Sequence, residues 1–161
     1  MKKIIFACIV TLAFSCENKA QTNKEQEAIM NAKPVEVSIK NGKAKAYFAS
    51  GCFWCVEAIY ESIKGVDEVI SGYSGGHTQN PTYESNNTGK TGHAESVEVI
   101  YDPKIVSFET LVDVYFGSQN PTQVNGQGND RGSQYRSIIF YQNEAQKQII
   151  LKKKAALAKE L

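Results

Sequence analysis

The sequence predicts an α+β fold: a two-layer sandwich with a ferredoxin-like β-α-β-β-α-β core and an extra C-terminal helix. Three observations predict it. Short apolar or alternating runs suited to strands occur near residues 44–50, 66–73, 94–101 and 137–141. Apolar residues at helical spacing fill the gap between the first and second run and the gap between the third and fourth. A lysine-laced helical segment closes the chain. The sheet is expected to be antiparallel, with the two principal helices on one of its faces.

The bulk numbers set the frame. The 161 residues, 42% of them hydrophobic, suit a single domain once a processed segment is removed. Lys plus Arg number 18 against 17 Asp plus Glu, so no net charge selects nucleic acid or an anionic membrane surface as partner.

The first residues differ from the rest. Lys2 and Lys3 precede an apolar run from Ile4 to Phe14, which is too short to span a bilayer and fits a secretory signal. The run stops at Ala13, Phe14, Ser15 and Cys16, which resembles a bacterial lipoprotein cleavage site, with Leu12 one place further out than the usual pattern. Residues 1–16 are therefore expected to be a signal peptide of the lipoprotein type, with Cys16 lipidated as the first residue of the mature chain. Plain secretion, with Cys16 retained or removed, is the alternative. Either way the protein is expected to be exported. With the anchor it would sit on a membrane facing the periplasm or the cell exterior, touching lipid only through Cys16. Residues 17–43, rich in Asn, Lys, Gln and Glu, are expected to be a flexible tether in which Val35, Val37 and Ile39 alternate as a short strand or extended arm. The folded domain is expected to occupy residues 44–161.

Within that domain, Ala46, Tyr47, Phe48 and Ala49 form a first buried strand that ends at Ser50 and Gly51. A helix follows at once, with Phe53, Val56, Ile59, Tyr60 and Ile63 at helical spacing and Gly65 as its stop. Val66, Val69, Ile70 and Tyr73 mark a second strand, expected to be broken by Gly72, Gly75 and Gly76. His77 to Gly92 reads as a long loop. Ala94 to Tyr101 alternates as a third strand and ends at Asp102 and Pro103. Ser107 is a suitable N-cap for a helix burying Phe108, Leu111, Val112, Tyr115 and Phe116, closed by Gly117. A second polar loop runs from Asn120 to Gln134, then a fourth strand from Ser137 to Tyr141 and a terminal helix from Glu144 to Leu161. No repeat of fixed period is present, and long polar loops are where function more readily sits.

Of the 4 cysteines, Cys8 falls in the signal and Cys16 at the anchor, leaving Cys52 and Cys55 in the folded part. This is not a disulfide framework. With only His77 and His93 as histidines and no second C-x-x-C, a structural zinc site is not expected either, and no metal or cofactor is predicted. Cys52 lies where the first strand hands over to the first helix, and unsatisfied N–H groups at a helix start favour a thiolate, the nucleophilic form. A small buried hydrophobe is the competing reading of such a cysteine. Cys55 is three residues on, an offset that brings Cα atoms to roughly 5 to 6 Å, within disulfide range. It can therefore resolve an oxidised Cys52, or serve a thioredoxin-like exchange pair. Phe53 and Trp54 could wall a pocket for a small methyl-bearing group, or be ordinary core aromatics. Glu95, in apolar surroundings, could stay protonated and donate to an oxyanion, although a Glu at a strand start is more often solvated. Tyr83, Asp130 and Tyr135, in or beside the polar loops, could add donors or orientation.

The strings G-C-F-W-C-V-E from Gly51, G-Y-S-G-G from Gly72, N-P-T-Y-E from Asn80, T-G-H-A-E from Thr91, Y-D-P from Tyr101 and G-S-Q-Y-R-S from Gly132 resemble, in this order, peptide methionine sulfoxide reductase, type A (the MsrA family). The family's α/β two-layer fold agrees with the strand order above. The resemblance implies that Cys52 attacks the sulfoxide sulfur, that Phe53 and Trp54 receive the methyl group, and that Glu95 with Tyr83 and Tyr135 holds and protonates the oxygen, supported by Asp130. It also implies a sulfenic acid on Cys52, then a disulfide, thioredoxin or a similar dithiol as reductant, and selectivity for the S epimer. The expected partners are oxidised proteins and peptides, and the chain is expected to act as a monomer. Two departures stand out: Cys55 replaces the family's commonest Gly, and the tail in which many relatives carry a resolving cysteine is not found before Leu161. Both agree with Cys55 as the resolver, and equally with a chain that continues.

Two other classes compete. A general dithiol oxidoreductase would also use C-x-x-C at a helix start, but it has no need of Glu95 as a proton donor. A non-catalytic lipoprotein that binds methionine-rich partners would form no Cys52–Cys55 bridge. An exported reductase also lacks direct access to cytosolic thioredoxin, so a membrane-spanning electron relay is expected.

Overall fold

A computed structural model describes residues 40–160 together with Val35 and Val37, all within the unit Pro34–Leu161. The expected signal peptide, Cys16 and residues 17–34 of the tether lie outside the described residues. The end of the expected tether is a tight turn. Lys40 and Lys43 exchange backbone hydrogen bonds of 3.2 and 2.9 Å around Asn41 and Gly42, both at positive φ, and Lys43 pairs with Asp67 at 2.7 Å.

The domain follows the expected order. The 4-stranded sheet runs β2 (Val66–Ser74), β3 (Ala94–Tyr101), β1 (Ala44–Ala49), β6 (Ile138–Phe140), with every neighbouring pair antiparallel. This is the ferredoxin-like arrangement, in which the first strand is central and the last lies at its side. The helices α1 (Phe53–Glu61) and α3 (Phe108–Gly117) cover one face. Alternation decides which face is covered: Ala46 and Phe48 of β1 sit opposite Val99 and Val97 of β3, and all are buried. Phe48, with no exposed surface, anchors both helices. Its ring stacks on Tyr60 of α1 at 4.8 Å and lies 6.2 Å from Phe108 and 5.7 Å from Tyr115 of α3. A buried aromatic of this size contributes about 1.5–3 kcal/mol of transfer free energy. On the opposite face Glu98 accepts from both Lys45 Nζ and Tyr47 Oη at 2.6 Å.

Ser107 caps α3 as expected, accepting from the Thr110 N–H at 3.0 Å. The terminal helix α4 (Glu144–Leu157) is capped by Asn143 and held to α3 by Lys153, 2.8 Å from Asp113 and 3.1 Å from Glu109.

Three expectations change. β2 runs through Gly72 to Ser74 rather than breaking there, because the ladder with β3 supplies the backbone partners on one side. The first long loop contains a short helix, α2 (Tyr83–Asn87), whose Thr82 and Ser85 cap each other reciprocally at 3.2 and 2.9 Å. The second contains a hairpin of β4 (Gly126–Gln127) and β5 (Asp130–Arg131), followed by a single 3₁₀ turn at Ser133–Tyr135.

Candidate active site

The site is built where the central strand β1 turns into α1. Gly51 makes the turn at φ +90°, and a Cβ there would stand 2.7 Å from Gln127 Cβ, so a side chain is excluded by both backbone and space. Beneath it, Tyr115 Oη donates to the Ala49 carbonyl at 3.1 Å and fixes the end of β1 to α3.

Cys52 takes the N-cap position of α1 with extended backbone, and its side chain makes no capping bond. Its carbonyl accepts from the N–H groups of Cys55 and Val56 at 3.1 and 3.2 Å. The sulfur is thus left at the open end of the helix, partly exposed, while Cys55 on the same turn is exposed; both are free thiols. The Cys55 thiol is pushed up chiefly by negative charge on Cys52, then by burial, by hydrogen bonding with Cys52 and by Asp130.

Glu95, the second residue of β3, is only 2% exposed. Its Oε2 accepts the Phe53 backbone N–H at 3.0 Å, the donor adjoining Cys52. Burial raises the carboxyl above the usual carboxylate range; the Phe53 N–H opposes the rise and Asp130 adds to it. The solvated reading of this residue is thereby excluded.

Four rings surround these groups. Phe53 lies 5.3 Å from Trp54, 5.6 Å from Tyr73 and 6.3 Å from Tyr83, and Trp54 lies 5.6 Å from Tyr83. Phe53 is also a core residue at 5% exposure, whereas Trp54 at 60% and Tyr83 at 41% face solvent. The core reading thus holds for Phe53 and fails for Trp54. Tyr135 is raised by burial first, then by the charges of Glu95 and Asp130, with Tyr83 and Cys52 also acting on it. The structure therefore brings Cys52, Cys55, Phe53, Trp54, Tyr83, Glu95, Asp130 and Tyr135 together. Tyr73 joins them although the sequence marks it only as a strand residue; its position opposite Glu95 in the β2–β3 register is the signal that finds it. Among the described residues no group of three or more His, Cys, Asp or Glu is arranged to hold a metal.

The loops that carry these residues are tied together. Arg136 donates from Nη1 to the Ser133 carbonyl at 2.7 Å and from Nη2 to the carbonyls of Gly92 at 2.9 Å and Gly75 at 3.5 Å. His93 accepts the Gly76 N–H at 3.1 Å through Nδ1, and its Nε2 lies 2.9 Å from the Thr78 carbonyl.

Two thiols on one helical turn beside a buried carboxyl and a cluster of aromatic rings define a thiol-based redox protein on a ferredoxin-like frame. The chain belongs to the peptide methionine sulfoxide reductase family, whose model matches residues 44–161. It is 53% identical to the peptide methionine sulfoxide reductase MsrA of Pasteurella multocida over 113 residues, 70% of this chain and 65% of that protein. It is 53% identical to the protein of the same name from Nautilia profundicola over 116 residues, 72% of this chain and 67% of that protein. The chain thus spans about two thirds of the length of these relatives. Among solved structures, methionine sulfoxide reductase A of Corynebacterium diphtheriae superposes with a TM-score of 0.68 at 34% identity, covering 79% of this chain and 66% of that one. Reduced Mxr1 of Saccharomyces cerevisiae gives a TM-score of 0.69 at 28% identity, covering 77% and 73%.

Proposed function

We propose that this chain is a peptide-methionine (S)-S-oxide reductase, which repairs oxidised proteins and also reduces free methionine sulfoxide. The observation that carries the reading is the Glu95 carboxyl, buried and tied to the N–H beside Cys52. A disulfide-exchange site has no oxygen to protonate, whereas a sulfoxide oxygen must receive protons as it leaves sulfur.

In the proposed course the substrate methyl group enters between Phe53 and Trp54, and the oxygen faces Glu95, Tyr83 and Tyr135. Cys52 sulfur attacks the sulfoxide sulfur while Glu95 protonates the oxygen. The sulfoxide S–O bond and the new sulfur–sulfur bond then break as the hydroxyl passes to Cys52, so methionine departs, Cys52 is left as a sulfenic acid, the sulfoxide sulfur is reduced by two electrons and Cys52 is oxidised by two. Cys55 sulfur then attacks Cys52 sulfur, displacing water and forming the disulfide. The placing of Cys55 on the first turn of the helix that Cys52 caps, within electrostatic reach of it, supports Cys55 as the resolver. A thioredoxin-like dithiol restores both thiols by exchange.

The remaining assignments rest on sequence. The run from Ile4 to Phe14 before Cys16 supports export with a lipid anchor, and the domain acts as a monomer served by an electron relay across the membrane. Labelling with a radioactive fatty acid tests the anchor: label should vanish in Cys16→Ser.

The deciding experiment compares reduction of the two sulfoxide epimers with a dithiol reductant in wild type and in Glu95→Gln. Turnover of the S epimer alone, lost in Glu95→Gln while disulfide exchange persists, is the expected result. Equal exchange activity without sulfoxide turnover would instead mark a general dithiol oxidoreductase.

A further inference from the structure

We propose that Tyr73 is a positioning residue for this reaction: its ring locks Phe53 and Glu95 into one triangle and keeps water from the Glu95 carboxyl. The inference rests on the sulfoxide reductase reading above and adds to it a residue from a strand that carries none of the thiols or oxygen-binding groups.

The triangle has three observed sides. Tyr73 and Glu95 are direct partners across the β2–β3 ladder, so their side chains leave the sheet on one face. The Tyr73 ring lies 5.6 Å from the Phe53 ring at an interplanar angle of 47°. Phe53 closes the figure by donating its backbone N–H to Glu95 Oε2 at 3.0 Å. One residue from each of β2, β3 and α1 is therefore held by the other two, and the helix start carrying Cys52 is set against the strand carrying Glu95.

The position of the ring also accounts for the dryness of the carboxyl. Glu95 lies near the end of β3, where a strand residue would ordinarily meet solvent, yet it is 2% exposed. Its cross-strand neighbour on β2 is Tyr73, while the preceding β2 residue on the same face, Ser71, sits opposite Val97 and bonds to Glu57. Tyr73 is therefore the β2 side chain set against the carboxyl. The titratable groups coupled to Glu95 are Asp130, which raises the carboxyl, and Tyr73 and Tyr135, whose hydroxyls are raised by burial and then by the charge of Glu95.

If the ring is removed, water reaches the carboxyl and the proton leaves at lower pH. A general acid that deprotonates early loses rate on the alkaline side first. The test measures kcat/KM against pH for reduction of a methionine S-sulfoxide peptide by wild type, Tyr73→Phe, Tyr73→Leu and Tyr73→Ala. In parallel, infrared spectra of protein carrying ¹³C-labelled glutamate follow the protonated carboxyl band of Glu95, identified by its loss in Glu95→Gln. The expected result is a near-normal profile for Tyr73→Phe. In Tyr73→Ala the loss at pH 8 should exceed the loss at pH 6 by about tenfold, with the carboxyl band disappearing at lower pH than in wild type. If Tyr73→Ala does not fold, Tyr73→Leu carries the same comparison. An unchanged carboxyl band and an unchanged profile would overturn the proposal. Wild type without sulfoxide turnover would count against the function itself, while the infrared titration, which needs no turnover, still decides the role of Tyr73.

Discussion

The backbone N–H of Phe53 and the carboxyl of Glu95 meet at 3.0 Å although 42 positions separate them in sequence. This bond joins the helix that Cys52 caps to the strand that carries Glu95, so a shift of either bears on the other. It costs Glu95 little freedom, because the carboxyl is already buried, and it leaves the second oxygen unengaged by Phe53.

Glu95 makes stability depend on pH. Burial raises its native pKa, so the folded chain holds that proton more tightly than the unfolded one. Its contribution is complete below the ordinary carboxylate pKa and is lost as pH rises through the raised native value. Glu95→Gln, which keeps an oxygen for Phe53, should abolish sulfoxide reduction and flatten this part of the melting curve against pH. Calorimetric Tm values from pH 4 to pH 9 check it; a wild-type curve as flat as the variant's would contradict it.

Cys52→Ser should eliminate turnover, whereas Cys55→Ser should release one equivalent of methionine and stop with Cys52 as a sulfenic acid. Quench experiments with a sulfenic acid trap and intact-mass spectrometry distinguish the two.

Cys55 is raised chiefly by the charge on Cys52. In Cys52→Ser that cause is absent, so Cys55 should react with iodoacetamide at lower pH than it does in the wild type. Peptide mapping of alkylation against pH provides the measurement, and an unmoved Cys55 profile would argue that the sulfurs do not interact.

Gly51→Ala meets both a φ of +90° and Gln127 Cβ at 2.7 Å. A loss of about 1–3 kcal/mol in urea unfolding is expected, with reduced turnover because Cys52 is displaced. Adding Gln127→Gly should recover the part due to contact and not the part due to backbone.

Phe48→Ala should cost about 3–5 kcal/mol, since one ring serves Tyr60, Phe108 and Tyr115 together. Denaturant titration followed by circular dichroism tests the magnitude.

Much of this was legible in the residues. β3 is the strand predicted, because strict alternation between Asp102 and the preceding loop leaves little choice of period. Ser107 signals α3, and the strand-to-helix change at Gly51 puts Cys52 at a helix start, which in the structure is the N-cap. What escaped was encoded weakly or non-locally. The capping box of α2 uses Ser85 where Glu or Gln is the usual signal, within a run of Asn and Thr that otherwise suggests a loop. The β4–β5 hairpin is two residues a side and too short to show alternation. The role of Tyr73 depends on register, which pairs it with Glu95 across a ladder that its neighbours in sequence do not announce. The carboxyl's burial is likewise a product of three elements meeting.

Arg136 gives the loops a shared fate. Its guanidinium is itself withdrawn from solvent, and its hydrogen bonds run to carbonyls from three separate segments at residues 75, 92 and 133. One guanidinium thus pins the chain just after β2 and just before β3 to the turn at Ser133, so a change at any of the three bears on the other two. Tyr83, between residues 75 and 92, and Tyr135, beside Arg136, are carried on this tied framework, and replacing Arg136 should unsettle both together.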